Sequence, residues 1–136
     1  MAEPAMDPDE EQFAKLTSST DEGPIVMVNL LRYKEQADGV DAGVTGREAY
    51  ARYGAAVAPL LLGVGGKILV AVDTVDSIIG PKEAEWDTTI LVQYPSRQAF
   101  LNMVTDPEYL KITVHRTNAL AESRLILSSL VYAAGN

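Results

Sequence analysis

Ile25-Val26-Met27-Val28-Asn29-Leu30-Leu31, closed by Arg32-Tyr33-Lys34, is a continuous apolar and β-branched run that follows Gly23-Pro24. Such a run, bounded by turn residues, reads as a strand. Its faces are both apolar: Ile25, Met27 and Leu31 lie on one, Val26, Val28 and Leu30 on the other. A strand that meets water on one side alternates apolar with polar. This one does not, and only Asn29 interrupts its Met27–Leu31 face.

Outward from that strand the pattern alternates between two periods. Glu35 to Gly46 holds three Gly and two Asp and reads as an exposed loop. Arg47 to Leu62 is Ala-rich, with Tyr50, Tyr53, Val57 and Leu60/Leu61 at helical spacing, and Pro59 should kink or shorten its last turn. Gly63-Val64-Gly65-Gly66 ends this helix, and Lys67–Val72 reads as a second strand. A polar connection, Asp73–Glu85, leads to a third strand, Trp86–Tyr94. Ser96 is placed to cap a short helix with Ala99, Phe100, Met103 and Val104 inward. Asp106-Pro107-Glu108 starts another, running to about Glu122, and Arg124–Val131 closes the chain as a fourth strand. The order βαββαβ is the ferredoxin-like plan, an α+β fold with a four-stranded antiparallel sheet. Residues 1–22 form an acidic N-terminal arm and residues 23–136 a single domain. In the arm, Asp7-Pro8-Asp9-Glu10-Glu11 reads as a helix start capped at Asp7, with Pro8 in the first turn. Phe13 and Leu16 give that helix a thin apolar edge, which either docks on the body or a partner subunit or stays solvated.

Helices cover one face of such a sheet, so its second apolar face needs other cover. The second strand splits Leu69 and Ala71 from Ile68, Val70 and Val72, and the last splits Leu125, Leu127 and Val131 from Ile126 and Leu130. A lone chain would expose a larger apolar patch than soluble monomers usually carry. A second sheet packed face to face covers it. The expectation is a homodimer, the two sheets closing into a dimeric α/β barrel.

Composition excludes several classes of function. The chain of 136 residues has no Cys, which removes disulfide frameworks, thiolate metal sites and cysteine nucleophiles together. One His removes multi-histidine metal sites. The formal charge of −8 argues against nucleic acid, whose phosphates are neutralised by Lys and Arg. Most of that charge belongs to the arm: residues 1–22 hold seven carboxylates against Lys15, and the remainder holds twelve against ten bases. No stretch approaches the roughly 18 uninterrupted apolar residues of a membrane span, and Met1–Glu11 lacks a basic and apolar leader. A cytoplasmic protein with no membrane contact is expected.

Few residues offer chemistry. On the third strand, Asp87, Thr89 and Gln93 lie opposite Trp86, Thr88, Ile90, Val92 and Tyr94. The apolar set should meet the helices, which turns the polar set toward an inter-sheet cavity or toward one another. His115 sits at the edge of its helix, either as a proton shuttle or as a packing residue. Arg116 faces inward and either pairs with a carboxylate such as Asp87 or holds an anionic ligand. Tyr50 and Tyr53 read as core or cavity-wall aromatics. Gly63–Gly66 follows a helix, the wrong order for a phosphate loop. Asp73, Asp76, Glu83 and Glu85 lack calcium-loop spacing.

Several stretches taken in order resemble a known family: Val28–Tyr33, Tyr50-Ala51-Arg52-Tyr53, Val64–Lys67, Trp86-Asp87, Tyr94-Pro95-Ser96, Asp106–Tyr109 and His115-Arg116. From about Gly23 to Leu130 the chain resembles domain of unknown function family 1330, of the dimeric α/β-barrel superfamily. The resemblance implies a ferredoxin-like dimer with a pocket between sheet and helices. That superfamily includes cofactor-free monooxygenases, polyketide cyclases, muconolactone-type isomerases and haem-dependent enzymes, so the fold does not select an activity. Matching residues expected at the pocket are Asn29, Tyr53, Trp86, Asp87, Tyr109, His115 and Arg116. Together they suggest a cofactor-independent acid–base enzyme, of isomerase, cyclase or lyase type, on a small anionic or phenolic metabolite. His115 would be acid or base, Asp87 its partner, Arg116 the anion holder, and Asn29, Tyr53, Trp86 and Tyr109 the ligand contacts. No metal or cofactor is expected; a haem would have only His115 as axial ligand. The alternative is a homodimer that binds a ligand, or is structural, without chemistry.

Overall fold

The decisive apolar run folds as strand β1 (Ile25–Tyr33), an inner strand flanked on both sides, in a computed structural model that describes residues 7–18 and 22–135. An N-terminal helix α1 (Glu10–Ser18) precedes it. After it come α2 (Gly46–Gly63), β2 (Lys67–Asp73), β3 (Thr88–Tyr94), α3 (Arg97–Val104), α4 (Pro107–Ala119) and β4 (Leu120–Ser128). The sheet order is β2–β3–β1–β4 and every pair is antiparallel, which is the ferredoxin-like α+β fold. Among the described residues no helix is long and apolar enough to cross a membrane.

Local signals set the helix starts. Thr45 accepts from the Glu48 N–H while Glu48 returns a bond to the Thr45 N–H, a capping box for α2. Ser96 accepts from Ala99 N–H at α3, and Asp106 from Glu108 N–H at α4, with Pro107 in the first turn. In α1 the cap is Asp9, not Asp7. The Asp9 carboxylate accepts from Gln12 N–H at 2.7 Å, and the Gln12 amide oxygen accepts from Asp9 N–H at 3.1 Å, so two backbone donors are satisfied reciprocally. Helix α2 runs through Pro59 to Gly63. Both Pro59 and Ala55, whose carbonyl loses its helical partner, are exposed, so the missing bond falls on the solvent side of the helix.

Tertiary contacts override the pattern at two places. Helix α4 ends at Ala119 and not near Glu122, because Leu120 pairs with Tyr33 and Glu122 with Arg32 in the sheet. The Ala119 carbonyl accepts from Lys34 N–H at 2.8 Å, which ties this corner to the end of β1. Gly46 enters the same corner: a Cβ there would lie 2.2 Å from the Lys34 carbonyl oxygen and 2.6 Å from that of Ala119. The second place is the loop before α2, expected to be exposed. Its Ala37 and Asp41 are buried, the latter on a single 3₁₀ turn (Gly39–Asp41) tucked against α4.

Alternation assigns the faces. Met27, Asn29 and Leu31 stand opposite Val92, Ile90 and Thr88 on β3 and Leu127, Leu125 and Ser123 on β4. This face meets the helices, where Ile25, Met27, Val92 and Tyr94 pack with Leu61, Phe100 and Met103. A second cluster joins Leu31, Ala37, Ala49, Ala119 and Leu120. The other face carries Val28 and Leu30 beside Leu91, Thr89, Ile126 and Arg124, with Val70 and Val72 on the edge strand. Val70, Val72 and Ile126 are 45%, 53% and 47% exposed.

Candidate functional site

Helices α2 and α4 stand over the sheet and leave a cleft between themselves and β1, β3 and β4. Residues 50, 53, 57 and 61 of α2 recur at three- and four-residue spacing, so Tyr50, Tyr53, Val57 and Leu61 share the wall that faces α4. On α4 the same geometry brings Tyr109, Thr113 and Arg116 to the opposite wall. Met27, Asn29, Ile90, Val92 and Leu125 line the sheet side. The cavity measures about 1380 Å³ and runs out beneath α1, where Phe13 and Leu16 also line it.

The inner cleft gathers phenols, a guanidinium and a carboxamide. The Tyr53 and Tyr109 hydroxyls lie 3.0 Å apart, and the rings of Tyr50 and Tyr53 are centred 5.3 Å apart. Burial raises the Tyr50 phenol to about 12 and lifts that of Tyr53 further, against the opposing field of the Arg116 guanidinium. Both phenols therefore stay protonated at neutral pH. Arg116 donates to the Ser123 hydroxyl at 3.3 Å, and the Asn29 amide donates to the Met27 and Ile90 carbonyls at 3.3 Å.

His115 belongs to a different place. Its Nδ1 is 2.8 Å and 2.9 Å from the two carboxylate oxygens of Asp41, which has no exposed surface. The same carboxylate accepts from Arg52 at 2.8 Å and from the Asn118 amide at 3.1 Å. Burial pushes the Asp41 carboxyl upward, but the bonds from His115, Arg52 and Asn118 outweigh it and hold the pKa at about 2 against an ordinary 3.8. The cluster joins the loop, α2 and α4.

Of the seven residues expected at a pocket, Asn29, Tyr53, Tyr109 and Arg116 line the cleft. His115, Asp87 and Trp86 do not. The expected pairing of Asp87 with His115 or Arg116 is corrected by where the Asp87 carboxylate sits: it accepts the Tyr33 backbone N–H at 2.9 Å, sealing the start of β3 to the end of β1. Trp86 lies under the Arg124 guanidinium, 5.1 Å from ring centre to charge. Thr89 and Gln93 are on the sheet face away from the helices, so the cleft is not the inter-sheet cavity those residues suggested. Asp41, Arg52 and Asn118 escaped the sequence reading. Their one signal is the spacing of His115 and Asn118, neighbours on one helix face. Among the described residues no group of three His, Asp or Glu side chains converges as a metal site requires.

A ferredoxin-like α+β domain with a helix–sheet cleft is the class that this architecture defines. Within it, the chain belongs to the family described as Domain of unknown function (DUF1330), whose model matches residues 40–130. The matched span begins at Val40, so β1 lies outside it. The chain is similar to the crystal structure of RPA0582, a protein of unknown function from Rhodopseudomonas palustris, with 38% identity and a TM-score of 0.86 over 93% of this chain and 97% of that one. More distant structures share the fold. One is a dimeric protein of unknown function with a ferredoxin-like fold from Bacteroides fragilis (10% identity, TM-score 0.52, 80% of this chain and 98% of that one). Another is SnoaB, a cofactor-independent oxygenase from Streptomyces nogalater (12% identity, TM-score 0.52, 84% of this chain and 99% of that one). No curated protein matches the sequence.

Proposed function

We propose that this chain is one subunit of a homodimer whose helix–sheet cleft binds a small organic molecule carrying an anionic or phenolic oxygen. The observation that carries this reading is the convergence of Arg116 with Tyr50, Tyr53 and Tyr109 in a cleft otherwise lined largely by apolar side chains. Apolar walls with a few convergent polar groups are the usual anatomy of a small-ligand site. A guanidinium and neutral phenols suit a ligand oxygen that bears negative charge. The geometry favours binding over proton-transfer chemistry at His115, since that imidazole is held on Asp41 outside the cleft. The carboxylates that line the cavity among the described residues are Asp7, Asp9 and Glu10, on or just before α1. Chemistry in the inner cleft would therefore rest on stabilising an oxyanion by Arg116 and the phenols.

The homodimer rests on the apolar face turned from the helices, with half-exposed Val70, Val72 and Ile126. The Bacteroides fragilis fold neighbour is described as dimeric, which is in keeping with a dimer here. Residues 1–22 act in this reading as an arm on a single domain, and a cytoplasmic location fits the composition.

A thermal-shift screen of small carboxylates and phenols tests the site. Wild type and His115→Ala should both be stabilised by the same compounds, and Arg116→Gln should lose the effect. Equal stabilisation of wild type and Arg116→Gln would remove Arg116 from the site. Sedimentation at micromolar concentration should show a dimer; a monomer would overturn the packing.

A further inference from the structure

Tyr50, Tyr53, Tyr94 and Tyr109 line the cleft, and each brings one hydroxyl hydrogen to it. The contact between Tyr53 and Tyr109 uses one of these hydrogens. Among the described residues the Tyr50 and Tyr94 hydroxyls have no hydrogen-bond partner in the protein. Neither oxygen is sealed in, since the buried side-chain nitrogen or oxygen that lacks a partner among those residues is Arg97 Nε, on α3. Both hydroxyls therefore open onto the space that their rings line. They stand at different levels of it. The Tyr50 ring is 5.7 Å from that of Tyr33 and packs against the cluster of Leu31 and Leu120. Tyr94 ends β3 in the other cluster, beside Leu61, with its ring 5.1 Å from that of Phe100. Tyr50 and Leu61 are about three turns apart on α2, roughly 16 Å of rise, with Tyr53 and Val57 between them.

Burial lifts the Tyr94 phenol above its ordinary range, and Tyr109 and Tyr50 add to the shift. The phenol keeps its proton at neutral pH and has one hydrogen to place. In water the solvent accepts it. A ligand that enters displaces that solvent and either supplies an acceptor or forfeits the bond. A hydrocarbon group at this level would leave the donor unmet. The side chains packed around Tyr94, namely Ile25, Met27, Leu61, Phe100 and Met103, carry no charge, which suits a neutral acceptor. Resting on the reading that the cleft is the ligand site, we infer that the ligand carries two acceptor oxygens on one elongated frame: the anionic or phenolic oxygen at the level of Tyr50, and a second, carbonyl-type oxygen that accepts from the Tyr94 hydroxyl. Tyr94 is then a specificity residue, because a site built to bond a ligand oxygen rejects the analogue that lacks it.

The test is isothermal titration of the full-length protein with isosteric pairs of two lengths. The short pair is para-acetylphenol and para-isopropylphenol. The long pair is the biphenyls with a para-hydroxyl on one ring and para-acetyl or para-isopropyl on the other. In wild type the acetyl member of at least one pair should bind about tenfold more tightly than its isopropyl partner. Tyr94→Phe should bring that pair within about twofold by weakening the acetyl member alone, and Tyr50→Phe should weaken both members and keep their ratio. Because Tyr94→Phe removes no hydrogen bond within the protein, its denaturant midpoint should match wild type. A lowered midpoint would mean that the protein itself uses the hydroxyl, and overturns the assignment. Equal affinities within both pairs in wild type overturn the second oxygen and leave the cleft as the site. An acetyl preference that survives Tyr94→Phe overturns the role of Tyr94. Failure of every phenol to saturate overturns the reading of the cleft, and this inference with it.

Discussion

His115 and Arg116 are adjacent in the chain and on α4, yet their surroundings differ in kind. His115 ends on a carboxylate with no exposed surface, which also takes bonds from Arg52 and Asn118. Arg116 ends in a cavity among phenols and apolar side chains. In the first region the buried charge is compensated on every side, so its energy goes into joining the loop, α2 and α4. In the second, a cation lines a cleft beside three tyrosines, and in the proposed reading that is where a ligand oxygen would meet it. The difference shows why a titratable residue type does not identify a site: both residues were candidates by type, and only the Arg116 side chain lines the cleft.

The comparison can be broken first at the buried carboxylate. Asp41→Ala should cost about 3 kcal/mol, because it leaves the His115, Arg52 and Asn118 donors without their shared acceptor. Denaturant unfolding measures this, and a loss below about 1 kcal/mol would make the cluster incidental. Carboxylate affinity of the folded variant should be unchanged. The reverse holds for Arg116→Gln, with ligand affinity down about tenfold, or about 1.4 kcal/mol, and unfolding free energy nearly constant. Comparable losses of stability from both variants would erase the distinction between the two regions.

Acid titration sharpens the contrast. The Asp41 carboxyl is held at about 2 in the fold and at 3.8 when unperturbed. A depressed carboxyl contributes stability that is fully present above the unfolded value and lost as pH falls through the folded one. Wild type should therefore weaken between those values, and Asp41→Asn should show a flatter pH dependence there. Identical slopes for the two proteins would mean that Asp41 is not the linked group.

Tyr53→Phe should cost about 1 kcal/mol of stability through the lost hydroxyl contact with Tyr109, and weaken carboxylate binding several-fold. The smallest effect should come from the exposed pair Arg47–Asp73. Asp73→Asn is expected to leave the denaturant midpoint nearly unchanged, since solvent screens a pair whose side chains are 56% and 60% exposed. A larger loss there would weaken the inference that burial separates the Asp41 cluster from surface ion pairs.

The strands, the helix starts at Thr45, Ser96 and Asp106, and the two-faced apolar sheet were legible because each depends on neighbours within a few residues. The limits of that reading fall where distant segments meet. Ala119–Glu122 reads as helix, but Leu120–Glu122 pairs with the end of β1, and ladder bonds prevail over local propensity. Asp41 sits in a Gly-rich stretch that resembles any solvated loop, and its partners lie 11, 74 and 77 residues away. Asp87 was expected beside Arg116 as an inward carboxylate, or beside His115 from the family resemblance; a backbone N–H claimed it instead.

By itself, then, the sequence determined the βαββαβ order, the antiparallel sheet and the inward turn of Tyr53 and Arg116, since alternation, helical spacing and capping are local and repeat along the chain. Only the tertiary structure decided that Arg116 meets the tyrosines of α2 and that His115 is tied to Asp41. Those choices depend on which helix faces are brought together and on how a loop closes, and no periodicity encodes the pairing of side chains so far apart.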